Sequence, residues 1–358
     1  MVPQRRILIA PLNWGLGHAT RCVPIIRELL RQEQIIFLAS DGRALELLRI
    51  EFPNLPTFEL PAYNVTYRTS NMFWNIGWQL PKIATAIFQE RRAIKKLVQE
   101  NSIDTIISDN RFGAISNQTH NIFLTHQLHL KIPFRPFSMI TNWCNHHFIR
   151  RFNEVWIPDF AEAESSLAGT LAHPPLKDIP TEYLGVLSRL EQKDRKYLED
   201  TSYLYDLFIL LSGPEPQRTY LEEKLIAQLK DTDLTAIIAQ GKTERKDNIQ
   251  LTERIKIVSY LTTKEIEDIA MVSKIMVCRS GYSTIMDLYQ LQKEAILIPT
   301  PGQTEQEYLA AELKRKGVFF SEPQQGFNLK MALGQSTRFT GFSSGGQTFL
   351  SVKLRELL

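Results

Sequence analysis

Cysteine is scarce in this chain: Cys22, Cys144 and Cys278 stand far apart, with no CxxC pair. A disulfide framework and a cysteine-based zinc site are therefore excluded, and the thiols read as small buried hydrophobes in a reducing compartment. Long apolar runs are missing too, since no segment approaches the roughly 18 consecutive apolar residues of a membrane span. Two arginines precede the first apolar run, in MVPQRRILIAPLNWGLGH. That run is short, leads into Pro and Gly and lacks a small-residue cleavage site, so it reads as a first strand rather than a signal peptide. Net charge is low, +3, too little to argue for a nucleic-acid partner. It is also uneven, with 20 Lys/Arg against 16 Asp/Glu in residues 1–190 and 22 against 23 beyond them. The first half is the basic one.

What is present is ordinary globular composition, 43% hydrophobic and 23% charged over 358 residues, enough for two substantial cores. Apolar strand, Gly-containing turn and amphipathic helix alternate, which predicts parallel sheets with helices on both faces. Strands are expected at 6–10, 35–39, 104–108, 121–125 and 154–157, with helices at 20–31 and 78–100. The pattern then restarts. Strands are expected at 207–211, 235–239, 255–258, 274–278 and 295–298, separated by helices near 215–230, 264–272, 283–291 and 304–316. A highly charged stretch after TEYLGVLSRL places the boundary near 188–200. The expected organisation is α/β: two Rossmann-like domains in tandem, 1–190 and 191–340, with an interdomain cleft and a C-terminal segment, 341–358. Ligands of such sheets sit beyond the carboxyl ends of the strands, so site residues should fall just after a strand.

Several stretches pass that filter. After the first strand, Gly15 and Gly17 allow a sharp turn and bring amides near a ligand, and His18 is suited to accept a proton near neutral pH. A helix cap or a structural imidazole is the competing reading of His18. The loop is not a GxGxxG fingerprint. Asp109 and Arg111 follow another strand. Asp109 is placed to orient His18 or act as the base, Arg111 to meet an acceptor anion, and an Asp capping its own turn is the alternative. His126 ends the next strand. In the second half Ser212, Gly213 and Arg218 open a strand-to-helix turn, which also reads as a plain helix start. Arg279, Ser280 and Gly281 form a second such turn whose free amides suit a diphosphate, with Asp287 inside the following helix. Gln303, Gln306 and Glu307 start a further helix and offer amide and carboxylate groups to sugar hydroxyls, or simply cap it.

The stretches RSGYSTIMDL and IPTPGQTEQEYLA are similar to the donor half of the MurG-like family of GT-B glycosyltransferases, glycosyltransferase family 28. NWGLGHATR resembles that family's N-terminal Gly-rich loop. The resemblance implies an inverting hexosyl transfer from a UDP-sugar; with no suitable carboxylate cluster in the sequence, neither a catalytic metal nor a cofactor is expected. The resemblance also implies a C-terminal helix returning to the first domain. By the same resemblance Ser280 and Gly281 face the diphosphate, Asp287 stands where the family has a ribose-binding glutamate, and Gln306 and Glu307 stand on a sugar-reading glutamine pair. Tyr260 and Leu261 fall where the backbone recognises uracil. Glu307 replaces a glutamine, which leaves the sugar open. Asp231-Thr232-Asp233 has the DxD form of metal-dependent transferases but precedes a strand, the wrong end of a sheet. The family's acceptor is often a lipid. Two aromatic, partly basic segments, 72–78 and 134–137, suggest peripheral contact with an anionic membrane at its cytoplasmic face, against plain core packing. Two rival readings are a nucleotide-sugar 2-epimerase and a non-catalytic nucleotide-sugar-binding protein.

Overall fold

The computed structural model describes residues 4–63, 79–132, 134–191, 203–242 and 247–342, with Leu350, Lys353 and Leu354. The chain divides into two compact units, Met1–Arg189 with Gln347–Leu358, and Leu190–Gly346. The first unit holds the strands β1 (Arg6–Pro11), β2 (Ile35–Ser40), β3 (Thr57–Glu59), β4 (Thr105–Asp109), β5 (His120–Leu124), β6 (Glu154–Ile157) and β7 (Thr181–Tyr183). They lie in the order β3-β2-β1-β4-β5-β6-β7, and every pairing is parallel. Its helices are α1 (Gly17–Arg31), α2 (Gly42–Glu51), α3 (Leu80–Asn101) and α4 (Arg135–Ile149).

The continuous apolar run of β1 follows from this position. A central parallel strand is covered on both faces, so Ile7, Leu8, Ile9 and Ala10 are all fully buried. Side chains alternate across a strand. Leu8 and Ala10 share a cluster with Phe37, Ile106 and, from α3, Ile94 and Val98, while Ile7 and Ile9 point to the opposite face. Helix α1 lies against β1 and β2. Each Ile or Leu buried here contributes about 1.5–3 kcal/mol, and a charged residue at Ile9 would break the sheet at its centre.

The second unit repeats the plan with β8 (Tyr205–Leu210), β9 (Ala236–Ala239), β10 (Asn248–Gln250), β11 (Ile255–Val258), β12 (Ser273–Cys278), β13 (Ala295–Leu297) and β14 (Phe320–Ser321). The order is β10-β11-β9-β8-β12-β13-β14, and only the edge strand β10 runs antiparallel. Its helices are α5 (Gln217–Lys230), α6 (Thr263–Met271), α7 (Tyr282–Leu291), α8 (Thr304–Arg315) and α9 (Leu329–Ser336). Helix α6 opens with a reciprocal capping box, Glu265 N donating to Thr262 Oγ1 at 3.3 Å and Thr262 N to Glu265 Oε2 at 2.7 Å.

The two Rossmann-like sheets expected from the sequence are therefore present. Elements outside that expectation are α2, α4, α9 and the strands β3, β7, β10 and β14, most of them too short for periodicity to show. The aromatic segment 72–78 and the charged stretch 192–202 lie outside the described residues. Of the C-terminal segment, Leu350, Lys353 and Leu354 are helical; Leu354 is fully buried, and Lys353 Nζ donates to the carbonyl of Tyr183. Strand order reverses between β1 and β4 in one sheet and between β8 and β12 in the other, and these switch points are where a doubly wound sheet opens a ligand crevice.

Candidate active site

At the first switch point the register pairs Pro11 with Asp109, which brings the chain after β1 beside the end of β4. The loop turns through Gly15 at φ +90°, and α1 starts at Gly17 without a side-chain cap or an acid in its first turn. His18 and Arg21, three apart on one helical face, both reach Asp109. His18 Nδ1 lies 2.7 Å from Asp109 Oδ1. Arg21 NH2 lies 2.9 Å from the same nitrogen; in the tautomer in which Nδ1 donates to the carboxylate, Nε2 is the basic nitrogen. Among the described residues Nε2 has no hydrogen-bond partner, and the His18 side chain is 15% exposed. Arg21 Nε donates to Asp109 Oδ2 at 2.5 Å, and its NH2 group donates to Oδ1. Burial alone would raise the Asp109 carboxyl. The Arg21 charge and then His18 outweigh burial and bring it down to about 2. Cys22 Sγ sits 3.7 Å from Asp109 Oδ2, its thiol pushed up by burial and by that carboxylate.

Two expected acceptor contacts are placed elsewhere. Asn110 turns the chain at φ +57°, a conformation Asn tolerates, and sends Arg111 inward. Arg111 is fully buried: it donates to Glu90, to Asp41 Oδ1 at 2.7 Å and to the Pro61 carbonyl at 2.8 Å, and lies over the Tyr63 ring. Glu90 also takes the Tyr63 hydroxyl at 2.7 Å and the Gly113 amide at 3.0 Å. Any side chain at Gly113 would meet Glu90 at 2.5 Å. Arg111 is a structural clamp, buried with its charge matched by Glu90 and Asp41. His126 is also buried, and its Nδ1 accepts from Arg21 NH1 at 2.8 Å. It supports Arg21 and does not line an open surface.

At the second switch point Ser212 and Gly213 are exposed at the end of β8. Gly213 has φ +104°, and a Cβ there would stand 3.3 Å from Thr300 Oγ1 and 3.9 Å from Arg279 Nε. Arg279 is buried beneath this turn. It donates to the carbonyls of Gln217 (2.9 Å), Ile298 (3.2 Å) and Pro299 (3.3 Å), while Nε and Thr300 Oγ1 have no partner among the described residues. Burial lowers the guanidinium to about 10, which still leaves it charged at neutral pH. Gly281 caps α7 with extended backbone, no side-chain cap and no acid in the first turn. The α7 N-terminus, the positive end of the helix dipole, thus follows closely on a buried cation.

The remaining expected residues divide. Ser280 Oγ donates to the Gln306 carbonyl at 2.8 Å; Gln306 Oε1 accepts from Thr300 N at 2.9 Å, and its Nε2 donates to Gln303 Oε1 at 2.5 Å. Gln306 therefore organises the loop after β13. Glu307 is exposed, and its Oε1 accepts from Gly302 N at 2.9 Å. Asp287 is half-buried on α7 and acts electrostatically on the Cys278 thiol, which burial pushes up to about 12. Tyr260 has a buried hydroxyl with no partner among the described residues and Leu261 is buried, both just past β11. Arg218 does not reach outward. It is buried and spent on Glu215 and Glu222, both at 2.6 Å. Among the described residues no group of three or more His, Cys, Asp or Glu is placed to hold a metal ion.

Residues 217–328, which include the α7 N-terminus, match the glycosyltransferase family 28 C-terminal domain. That match lies wholly within the second unit. A stretch of 104 residues is 30% identical to the UDP-N-acetylglucosamine–N-acetylmuramyl-(pentapeptide) pyrophosphoryl-undecaprenol N-acetylglucosamine transferase of Caldanaerobacter subterraneus subsp. tengcongensis. That stretch is 26% of this chain and 28% of that relative's length. Among solved structures, MurG of Acinetobacter baumannii is similar over 99% of both chains, with TM-score 0.60 and 12% identity. The calicheamicin glycosyltransferase CalG4 matches 99% of this chain and 94% of its own, with TM-score 0.63 and 11% identity. The spinosyn rhamnosyltransferase SpnG, complexed with thymidine diphosphate, matches 98% and 95%, with TM-score 0.61 and 12% identity. At these identities the likeness establishes the fold, which is GT-B. The sequence reading missed Arg21 and Thr300. Arg21 had one signal, its spacing of three from His18 in HATR; Thr300 had none.

Proposed function

We propose that the protein is an inverting glycosyltransferase that moves a sugar from a uridine-diphosphate donor, held by the family 28 domain, to an acceptor hydroxyl held by the first domain. The observation that carries this reading is His18, with Nδ1 held by Asp109 and Nε2 unpartnered. The acceptor O–H gives its proton to Nε2, and its oxygen attacks the anomeric carbon from the face opposite the diphosphate. The new C–O bond forms as the bond to the β-phosphate oxygen breaks; the bonding electrons leave with the nucleoside diphosphate, and the anomeric configuration inverts. Asp109 stabilises the imidazolium. The leaving group departs against the first-turn amides of α7 and the uncompensated charge of Arg279, so the reading calls on no metal ion.

Asp287, on α7, is assigned to the ribose hydroxyls, and the backbone at Tyr260 and Leu261 to the base. The uracil nucleotide is carried over from the relative's name; its sugar is not, because Glu307 offers acceptors alone. A lipid-linked acceptor is supported by the exposed face of α4. Phe134, Phe137, Met139, Ile140 and Trp143 are all exposed there, Met139 by 75% and Trp143 by 65%, beside the exposed Arg135 and Arg151. Apolar tips flanked by arginines suit an anionic membrane surface. Among the described residues no helix is long and apolar enough to cross a membrane, so contact would be peripheral.

The deciding test is binding and turnover with a panel of UDP-, GDP- and dTDP-sugars, comparing wild type with Asp287→Ala and His18→Ala. We expect one UDP-sugar to bind, Asp287→Ala to weaken it, and His18→Ala to abolish turnover while sparing binding. If no nucleotide sugar binds at millimolar concentration, the reaction class is wrong.

A further inference from the structure

Arg21 is buried, and its guanidinium touches three groups that differ in proton chemistry. It grips both oxygens of Asp109, and its NH2 and NH1 lie 2.9 Å from His18 Nδ1 and 2.8 Å from His126 Nδ1. A carboxylate acting alone on an imidazole does two things: it fixes the tautomer and it favours the imidazolium. Only the first is useful to a base that must begin neutral. Here the Asp109 charge is already matched by Arg21, while its oxygen remains available to Nδ1–H.

The groups that face His18 can be enumerated. Asp109 comes from the end of β4 and Arg21 from the same helix one turn on. His126 comes from the segment after β5 and reaches this group through Arg21, whose NH1 lies 2.8 Å from its Nδ1. Cys22 touches Asp109 as an uncharged thiol. Arg21 is thus the cation nearest the ring among the described residues.

We propose that Arg21 is a positioning residue: it shares Asp109 with His18, so that the carboxylate fixes the imidazole tautomer without drawing a second proton onto the ring, and Nε2 stays open to the acceptor's proton. This deepens the transferase reading and rests on it only for the kinetic consequence. The electrostatic arrangement stands without it.

The test is an NMR titration of the His18 ring in the full-length protein with isotope-labelled histidine, the signal assigned by its loss in His18→Gln. In Arg21→Gln the midpoint should move up by about one pH unit or more, and Arg21→Lys, which restores the charge, should bring it back to within a few tenths of wild type. The acid limb of kcat/KM should follow the same order, with donor affinity unchanged. Should Arg21→Gln leave Asp109 uncompensated and fail to fold, Asp109→Asn is compared with Asp109→Asn/Arg21→Gln. The midpoint must then be higher in the double variant, where the guanidinium alone has been removed. An unchanged or lower midpoint in either comparison overturns the proposal. A normal shift of the ring signal in a protein with no transfer activity would instead sink the reaction reading and leave the role of Arg21 intact.

Discussion

Nδ1 of His18 lies 2.7 Å from Oδ1 of Asp109 across 91 residues of sequence. The contact exists because β1 and β4 are neighbours, with Pro11 opposite Asp109, so the loop leaving one strand passes over the end of the other. The same crossing in the second sheet stacks the Gly213 turn over Arg279. Each crossing makes a claim that can be measured.

Asp109→Asn keeps the shape of the side chain but lets its amide face Nδ1, which favours the wrong tautomer of His18. Turnover should fall on the order of 10²- to 10⁴-fold with donor affinity unchanged. Steady-state kinetics with the donor found in the panel decides it, and a variant as active as wild type removes Asp109 from the mechanism.

The Asp109 carboxyl also makes stability depend on pH. Its native value, about 2, lies below the ordinary 3.8 of an aspartate. The stabilisation is therefore fully present above about pH 5 and is lost as pH falls toward 2. It amounts to about 2 kcal/mol. Urea unfolding between pH 5 and pH 2 should show a wild-type slope steeper than that of Asp109→Asn by this amount. Parallel curves would mean that the carboxylate has no net linkage to folding.

Arg111→Met should destabilise the first unit by about 3–5 kcal/mol, because Glu90 and Asp41 would be left buried without their cation. Chemical denaturation measures this. If stability holds and the acceptor KM rises instead, Arg111 faces substrate after all.

Gly213→Ala forces a side chain into φ +104° and sets its Cβ 3.3 Å from Thr300 Oγ1. Strain of about 1–3 kcal/mol should be relieved by moving the turn, weakening the donor roughly tenfold or more in calorimetric titration. Unchanged affinity would take the turn out of the donor site.

On α4, the pair Ile140→Glu and Trp143→Glu alters exposed residues, so folding should change by less than about 0.5 kcal/mol each. Binding to vesicles rich in anionic lipid should drop about tenfold or more. Wild-type protein that never sediments with such vesicles would dismiss this face as a membrane contact.

Much of the fold was legible because parallel strands buried on both faces leave continuous apolar runs, as at Ile7–Ala10, and the intervening helices carry their own period. Strands of two or three residues, such as β14, carry no period to detect. Helix α2 opens on Ser40-Asp41-Gly42, turn residues that mask a helix start. The polar positions divide along the same line. His18 and Asp109 could be paired from their places after strands. Arg111 and Arg218 carry the same chemistry as a substrate-binding arginine, and only their buried partners, Glu90, Asp41, Glu215 and Glu222, show that their charge is spent.

By itself the sequence determined the two sheets, the turns that end their strands and the residue types placed at those turns, since local period and turn chemistry act over a few residues. The tertiary structure decided which charges remain available. Arg279 keeps an unpaired charge, Arg111 does not, and Arg21 holds His18 and Asp109 together. Compensation of a buried charge depends on partners tens of residues away, and only the packed sheets bring them within hydrogen-bond distance.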